Sequence, residues 1–357
     1  MRRILTIIGA RPQFIKASVV SKAIQSAAEI EEILLHTGQH FDAGMSAVFF
    51  DQLCIPKPDI QLDIHGGSHG AMTGRMLIEI EQAIQSRKPD RVMVYGDTNS
   101  TLAGALAAAK LHVPVAHVES GLRSFDMRMP EEINRILTDQ VSDLLFCPTD
   151  AAINNLKNEG FDSKPARVLQ VGDVMQDAAL FFAERAIPPP GFEAGQGFIL
   201  ATLHRAENTD DPRRLTEIVA ALNQLHESVA PVLMPVHPRT QGAIAGLGLK
   251  LRVNRLAPVG YLEMLWLLIH CGLVLTDSGG LQKEAFFFGK PCVTMRDQTE
   301  WVELVEAGAN ELAGAEKERI FNAARKNHGR QIKDPGKLYG GGKAAERIAE
   351  VLRGNGA

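Results

Sequence analysis

The chain of 357 residues is longer than one ordinary core fills, and at about 100–200 residues per domain it predicts two domains. Its 45% apolar and 22% charged residues are those of a globular protein, which excludes a disordered or membrane-embedded one. A formal net charge of −4 argues against a general nucleic-acid binder, while leaving room for a local basic pocket around a small phosphorylated ligand.

At the N-terminus, Arg2-Arg3 precede the apolar run Ile4-Leu5-Thr6-Ile7-Ile8. The run stops at Gly9-Ala10-Arg11-Pro12 without a cleavage-type segment, so it reads as a first buried strand rather than a leader. Apolar, β-branched runs then recur at 32–36, 91–95, 114–118 and 144–147, with helical patterns such as 71–86 and 100–111 between them. A second series runs 197–202, 232–236, 251–255, 272–275 and 292–295, with helical stretches such as 215–227 and 261–270. This alternation is that of parallel sheets covered by helices on both faces.

Between the two series lie Val171-Gly172-Asp173 and the stiff Pro188-Pro189-Pro190 run, which puts the crossover near residue 170. The expected domains are 1–170 and 171–341, with a helical tail over 342–357 packing back on the first. No apolar stretch reaches the roughly 18 residues of a spanning helix, so no membrane partner and a cytoplasmic location are expected. Cys54, Cys147, Cys271 and Cys292 form no C-x-x-C pair and suggest neither zinc nor a disulfide framework.

In open α/β sheets ligands sit at the carboxyl ends of strands, so polar residues just after strands weigh most. Gly9-Ala10-Arg11-Pro12-Gln13-Phe14-Ile15-Lys16 follows the first strand and opens a helix. The free N–H groups there, with Arg11 and Lys16, suit a diphosphate; the plainer reading is a solvated first turn. Gly96-Asp97-Thr98 and His117-Val118-Glu119-Ser120 place carboxylates after two further strands. Adjacent strands lie about 4.8 Å apart, so Asp97 and Glu119 could share one mouth of the sheet, although Asp97 alone could merely cap a helix.

Met129-Pro130-Glu131-Glu132-Ile133-Asn134-Arg135 opens another helix, where acids commonly just complement the dipole. Glu131 rises above that reading only as a third acid near the same edge. In the second series, Thr202-Leu203-His204-Arg205 follows a strand, and Thr276-Asp277-Ser278-Gly279-Gly280-Leu281-Gln282-Lys283-Glu284 forms a strand-to-helix turn. Its glycines let backbone N–H groups approach a phosphate, Ser278 adds a hydroxyl, and Glu284 can reach ribose hydroxyls.

There is no G-x-G-x-x-G after the first strand, no P-loop, no H-E-x-x-H and no G-x-S-x-G. His36, His40, His65, His69, His112, His117 and His237 lack metal-ligand spacing, and most read as loop or packing residues. No metal or cofactor is expected.

Taken together, these segments resemble the non-hydrolysing UDP-N-acetylglucosamine 2-epimerases, in the right order over nearly the whole chain. The resemblance implies an α/β fold of two Rossmann-like domains facing across a cleft, similar to GT-B glycosyltransferases, with UDP held mainly by the second and catalytic acids offered largely by the first. Asp97, Glu119 and Glu131 match the family's catalytic acids, and His204 a histidine at its active site. Arg11, Lys16 and Arg135 match cations near the substrate. Ser278, Gly279, Gly280 and Glu284 match diphosphate and ribose contacts, with Arg205, His237 and Arg296 as further contributors.

The resemblance also implies a homodimer, and interconversion of UDP-GlcNAc and UDP-ManNAc for surface-polysaccharide precursors by elimination and re-addition of UDP through a 2-acetamidoglucal. Gln39 and His40 resemble the family's activator site, but Phe41 stands where an arginine often follows, which puts allosteric activation in doubt. Trp301 and Gln13 depart too, from an arginine and a glutamate common in simple UDP-GlcNAc epimerases. These features are similar to members acting on UDP-2,3-diacetamido-2,3-dideoxy-glucuronate, held here as the alternative substrate. A GT-B glycosyltransferase explains the acids less well, a hydrolysing relative that releases free N-acetylmannosamine and UDP is separated less sharply by the sequence, and a non-catalytic UDP-sugar sensor would need no set of acids.

Overall fold

Ile4-Leu5-Thr6-Ile7-Ile8 forms the middle of β1 (Arg2–Ile8), which lies inside a seven-stranded, all-parallel sheet. The computed structural model describes residues 1–26, 29–39, 57–191, 195, 197–333 and 338–354. They divide into two units, Met1–Ala178 with Gly336–Ala357, and Ala179–Pro335.

In the first unit β1 is followed by α1 (Arg11–Gln25), β2 (Ile30–His36), β3 (Ile60–Gln61), α2 (His69–Arg87), β4 (Arg91–Tyr95), α3 (Asn99–Lys110) and β5 (Val115–Val118). Then come α4 (Pro130–Val141), β6 (Leu144–Cys147), α5 (Asp150–Asn158), β7 (Arg167–Gln170) and α6 (Val174–Ala183), within which the unit boundary falls. The strand order is β3-β2-β1-β4-β5-β6-β7. The chain winds outward from β1 and then returns to its other side, so a crevice opens at the carboxyl ends of β1 and β4, where such folds hold ligands.

The helices begin where side chains satisfy free N–H groups. Ser68 accepts from Ala71 N at 3.3 Å ahead of α2, and Thr98 accepts from Thr101 N at 3.3 Å ahead of α3. Pro130 opens α4, where its missing N–H costs nothing, with Glu131 and Glu132 in the first turn. Leu5, Ile7, Leu35, Val92 and Val94 face Met76, Ile80 and the Ala-rich side of α3, forming one core. Each such large apolar side chain contributes roughly 1.5–3 kcal/mol by leaving water.

The second unit contains β8 (Ile199–Thr202), α7 (Ala206–Thr209), α8 (Pro212–Ser228), β9 (Val232–Pro235), α9 (Pro238–Gly246), β10 (Asn254–Leu256) and α10 (Tyr261–His270). It continues through β11 (Leu273–Thr276), α11 (Gly279–Phe287), β12 (Cys292–Thr294), α12 (Val302–Glu306), β13 (Asn310–Leu312) and α13 (Lys317–Asn327). Its six parallel strands run β10-β9-β8-β11-β12-β13, which repeats the winding and puts the crevice between β8 and β11. Thr202 pairs with Thr276 in the ladder, and their hydroxyls lie 2.6 Å apart.

The first unit runs on through residue 178 because the returning C-terminal segment is bonded to its last turns. Asp173 N donates to the Tyr339 carbonyl at 2.9 Å, Ala345 N donates to Asp177 at 2.8 Å, and Arg347 donates to the Val171 carbonyl at 2.8 Å. Gly172 has φ +101°, and a Cβ there would stand 2.7 Å from the Tyr339 carbonyl, so only glycine lets the two segments close. The last helix, α14 (Ala344–Arg353), packs on α1.

Two expectations need correction. The run 251–255 is not a strand as bounded: Val253 is buried, but the ladder pairs only Asn254 to Leu256 with β9. The sheets are also wider than the five strands read in each series, because β3, β7 and β13 are short and alternate or half-expose their side chains. Burial pushes the thiols of Cys147, Cys271 and Cys292 up to about 12, which suits small core residues; Cys54 lies outside the described residues.

Candidate functional site

At the carboxyl edge of the first sheet, Tyr95 pairs with Val118, so Gly96-Asp97 and Glu119-Ser120 emerge side by side. Glu119 has φ 70°, a left-handed conformation that a glutamate adopts only when its surroundings hold it there. Its carboxylate takes an ion pair from Lys16, and each side chain is only 10% exposed. Gly96, at φ +60°, lies under this pair, and a Cβ there would be 3.2 Å from Glu119 Oε2.

Arg135 ties the second acid into the same cluster. One guanidinium nitrogen pairs with Asp97 Oδ2, and another reaches Glu132 Oε2 at 2.7 Å. Burial works against the charge of Arg135, but Asp97, Glu132 and Glu119 together raise its affinity for its proton above the ordinary arginine value. Asn134 donates to the Asp97 carbonyl at 2.9 Å, so α4 fixes both the main chain and the side chain of Asp97.

Glu132 is the buried member of the Glu131-Glu132 pair. Burial opposes its ionisation, yet the amides of Ser124 and Phe125 and the Arg135 guanidinium hold it below the usual carboxylate range. Glu131 is exposed on the first turn of α4 and makes none of these bonds. Lys16, Asp97, Glu119 and Arg135 therefore come together, with Glu131 at the rim.

Two residues that the motifs did not assign hold this crevice. Gln13, 2% exposed, accepts from Gly9 N at 2.8 Å and Ala10 N at 3.0 Å and donates to the Tyr95 carbonyl at 2.7 Å, pinning the β1 turn to the β4 turn. His117, fully buried, places Nδ1 2.7 Å from Asp139 and Nε2 2.7 Å from the Gly96 carbonyl. Asp139 also takes Arg123 at 2.8 Å and Gly121 N at 3.1 Å. In the sequence His117 is only one of the histidines without metal-ligand spacing; its polar role depends on α4, which carries Asp139, lying alongside. The side chain of Arg11 lies outside the described residues, as do His40 and Phe41, whereas Gln39 accepts from Ser100 N at 3.0 Å.

In the second unit the β8 and β11 turns are joined by Asp277, which is fully buried. It accepts from His204 N at 3.0 Å, Arg205 N at 2.9 Å and His204 Nδ1 at 3.1 Å. Although burial pushes it the other way, the His204 ring and these amides hold the Asp277 carboxyl below its ordinary value. The His204 ring is thus anchored on one nitrogen while its side chain remains 48% exposed.

Ser278 is the N-cap of α11 but makes no side-chain cap bond, and around Gly280 the space is open. The first N–H groups of α11 thus have no partner from the cap side chain, and the hydroxyl of Ser278 stands beside them, which is the makeup of an anion site. Glu284 is buried a turn and a half further along the helix. Arg296 is already paired with Glu207 at 2.9 Å and Glu300 at 3.1 Å, and Arg205 approaches Glu300 at 3.8 Å. His237 is exposed and caps α9 by accepting from Arg239 N at 3.2 Å.

A sequence-family model described as UDP-N-acetylglucosamine 2-epimerase matches residues 22–353. The chain belongs to that family. It is a nucleotide-sugar epimerase, an isomerase. A Pseudomonas aeruginosa UDP-2,3-diacetamido-2,3-dideoxy-D-glucuronate 2-epimerase is 71% identical over 98% of this chain and 99% of its own length. A crystal structure of the Methanocaldococcus jannaschii UDP-GlcNAc 2-epimerase in complex with UDP-GlcNAc and UDP has a TM-score of 0.85 at 41% identity, covering 99% of both chains. The Neisseria meningitidis UDP-GlcNAc 2-epimerase bound to UDP-GlcNAc also has a TM-score of 0.85, at 30% identity over 99% of this chain and all of that one.

The two parallel sheets are those of this epimerase fold, which is GT-B-like. Among the described residues no helix is long and apolar enough to cross a membrane. From the sequence alone UDP-GlcNAc is the first expected substrate and the diacetamido uronate the alternative; the 71% relative favours the alternative.

Proposed function

We propose that this epimerase inverts C2 of UDP-2,3-diacetamido-2,3-dideoxy-D-glucuronate, feeding a surface-polysaccharide pathway as a cytoplasmic homodimer. The 71% identity to the Pseudomonas aeruginosa enzyme, spread over 98% of the chain, carries the choice of substrate. UDP-GlcNAc is the second reading, supported by the 41% identity to the Methanocaldococcus jannaschii enzyme.

The C2 proton of such a sugar is not beside a carbonyl, so a carboxylate cannot remove it from the ground state. Stretching the C1–O bond toward UDP gives C1 oxocarbenium character and acidifies the neighbouring C–H. The proposed division of labour gives the diphosphate to the Ser278-Gly279-Gly280 turn, whose fixed N–H groups stabilise the departing charge. Asp97 and Glu119 are the proton carriers. One takes the C2 proton as the C–H electron pair becomes the C1=C2 bond and the C1–O pair leaves with UDP. Another returns a proton to the opposite face of C2, and UDP re-adds at C1.

Two faces need two carriers, and the cluster of Asp97 and Glu119 with Arg135 and Lys16 is the geometric observation behind this reading. His204, held by Asp277, assists the leaving phosphate, and Glu131 is a third candidate acid at the rim. The test is incubation with each UDP-sugar in deuterium oxide, followed at C2 by NMR. Deuterium entering C2 with UDP still attached, faster for the diacetamido uronate, is the expected result. Free sugar, or no exchange with either substrate, would overturn the reading.

A further inference from the structure

The indole of Trp301 is 8% exposed, and its Nε1 is buried without a hydrogen-bond partner. A buried N–H left unpaired costs about 1–3 kcal/mol, so a donor kept in that state calls for a partner that the chain itself does not supply. Its position says what the partner is. Nε1 stands 3.6 Å from the point a Cβ on Gly279 would occupy, beside the first residue of α11. The Glu300 carboxylate oxygens stand 3.5 Å and 3.6 Å from the same point, yet the indole N–H makes no bond to them and the N-cap side chain makes none to the helix start.

The ring is held firmly. Lys283 Nζ lies 4.0 Å from its centroid, a cation–π contact from within α11. Trp301 N donates to Thr299 Oγ1 at 3.2 Å, Thr299 donates to Gln282 Oε1 at 2.6 Å, and Gln282 donates back to the Ser278 carbonyl at 3.2 Å. This polar chain locks the 299–301 loop to the very turn that the indole faces, so the donor is pre-organised. The nearby Glu300 carboxylate does not supply the acceptor, being engaged by Arg296 and approached by Arg205.

We propose that the Trp301 indole N–H donates to a non-bridging oxygen of the diphosphate seated at the N-terminus of α11, a neutral contact added to the backbone cradle. This rests on the reading that the Ser278 turn binds UDP. A neutral donor holds the diphosphate without adding charge, and the ring's rigidity fixes where that oxygen sits.

The test is Trp301→Phe, which keeps a ring over Lys283 and removes only the donor. UDP affinity should fall about 10-fold or more, as for one hydrogen bond to a charged group, while uridine affinity stays within about 2-fold. Unchanged UDP affinity, or equal losses for UDP and uridine, would overturn the proposal, the latter by assigning the ring a purely structural part. Independently of any folding defect, the indole ¹H–¹⁵N resonance of wild-type Trp301, assigned with Trp266→Phe, should move downfield with UDP and stay still with uridine. If wild-type protein binds UDP and that resonance does not move, this inference alone fails. If wild-type protein binds no UDP at all, the reading of the Ser278 turn fails first.

Discussion

Nδ1 of His204 lies 3.1 Å from Oδ1 of Asp277, a carboxylate with no exposed surface. The same acid accepts the main-chain N–H of both His204 and Arg205, so one buried group fixes the ring and the loop that carries it. Asp277→Asn turns one acceptor atom into a donor facing those N–H groups. Removing a charge-assisted bond of this kind costs about 1.5–3 kcal/mol, so deuterium exchange at C2 should slow by roughly 10- to 100-fold. An exchange rate equal to wild type would remove His204 from the mechanism.

Asp97→Asn and Glu119→Gln are each expected to lower C2 exchange by about 10²–10⁴-fold, the contribution of a positioned proton carrier. UDP affinity, measured by calorimetry, should stay within about 3-fold, because both residues belong to the β4 and β5 turns of the first sheet and not to the Ser278 turn. A variant with normal turnover would show that its acid carries no proton. Large loss of UDP binding would instead assign that acid to nucleotide recognition.

Gln13 donates to the Tyr95 carbonyl at 2.7 Å with its amide nitrogen, which an ionised glutamate cannot do. Gln13→Glu would set a carboxylate against that carbonyl in a buried site. The expected cost is about 1–3 kcal/mol, seen at neutral pH as a melting temperature several degrees lower. A melting curve superimposable on wild type would mean that the β1 and β4 turns are held together by other contacts.

The Glu132 carboxyl is held below its ordinary value of 4.5 in the folded chain. A depressed folded value means that this acid stabilises the fold fully above about pH 4.5 and loses that contribution as the pH falls through the folded value. Wild type should therefore melt above Glu132→Gln at pH 7, and the gap should narrow below pH 4.5. A gap independent of pH would show that the two amides and Arg135 do not favour the charged form.

Much of the fold could be read from local pattern. Ile4-Leu5-Thr6-Ile7-Ile8 and Arg91-Val92-Met93-Val94-Tyr95 are too apolar for anything but strands buried on both faces, and the polar residues that end them mark the ligand edge. Short edge strands such as Ile60–Gln61 bury little, so nothing in their composition announces them.

Local sequence sets which residue types stand after each strand, and hence the family chemistry: acids after β4 and β5, a Ser-Gly-Gly turn after β11. Which of them meet was left to the three-dimensional fold. It paired Lys16 with Glu119 and Arg135 with Asp97, chose Glu132 over Glu131 for the buried network, and turned the Trp301 indole toward Gly279. The physical reason is that hydrogen bonds and ion pairs join atoms close in space, across 103 residues for Lys16 and Glu119, whereas propensity and periodicity act only along a few neighbouring residues.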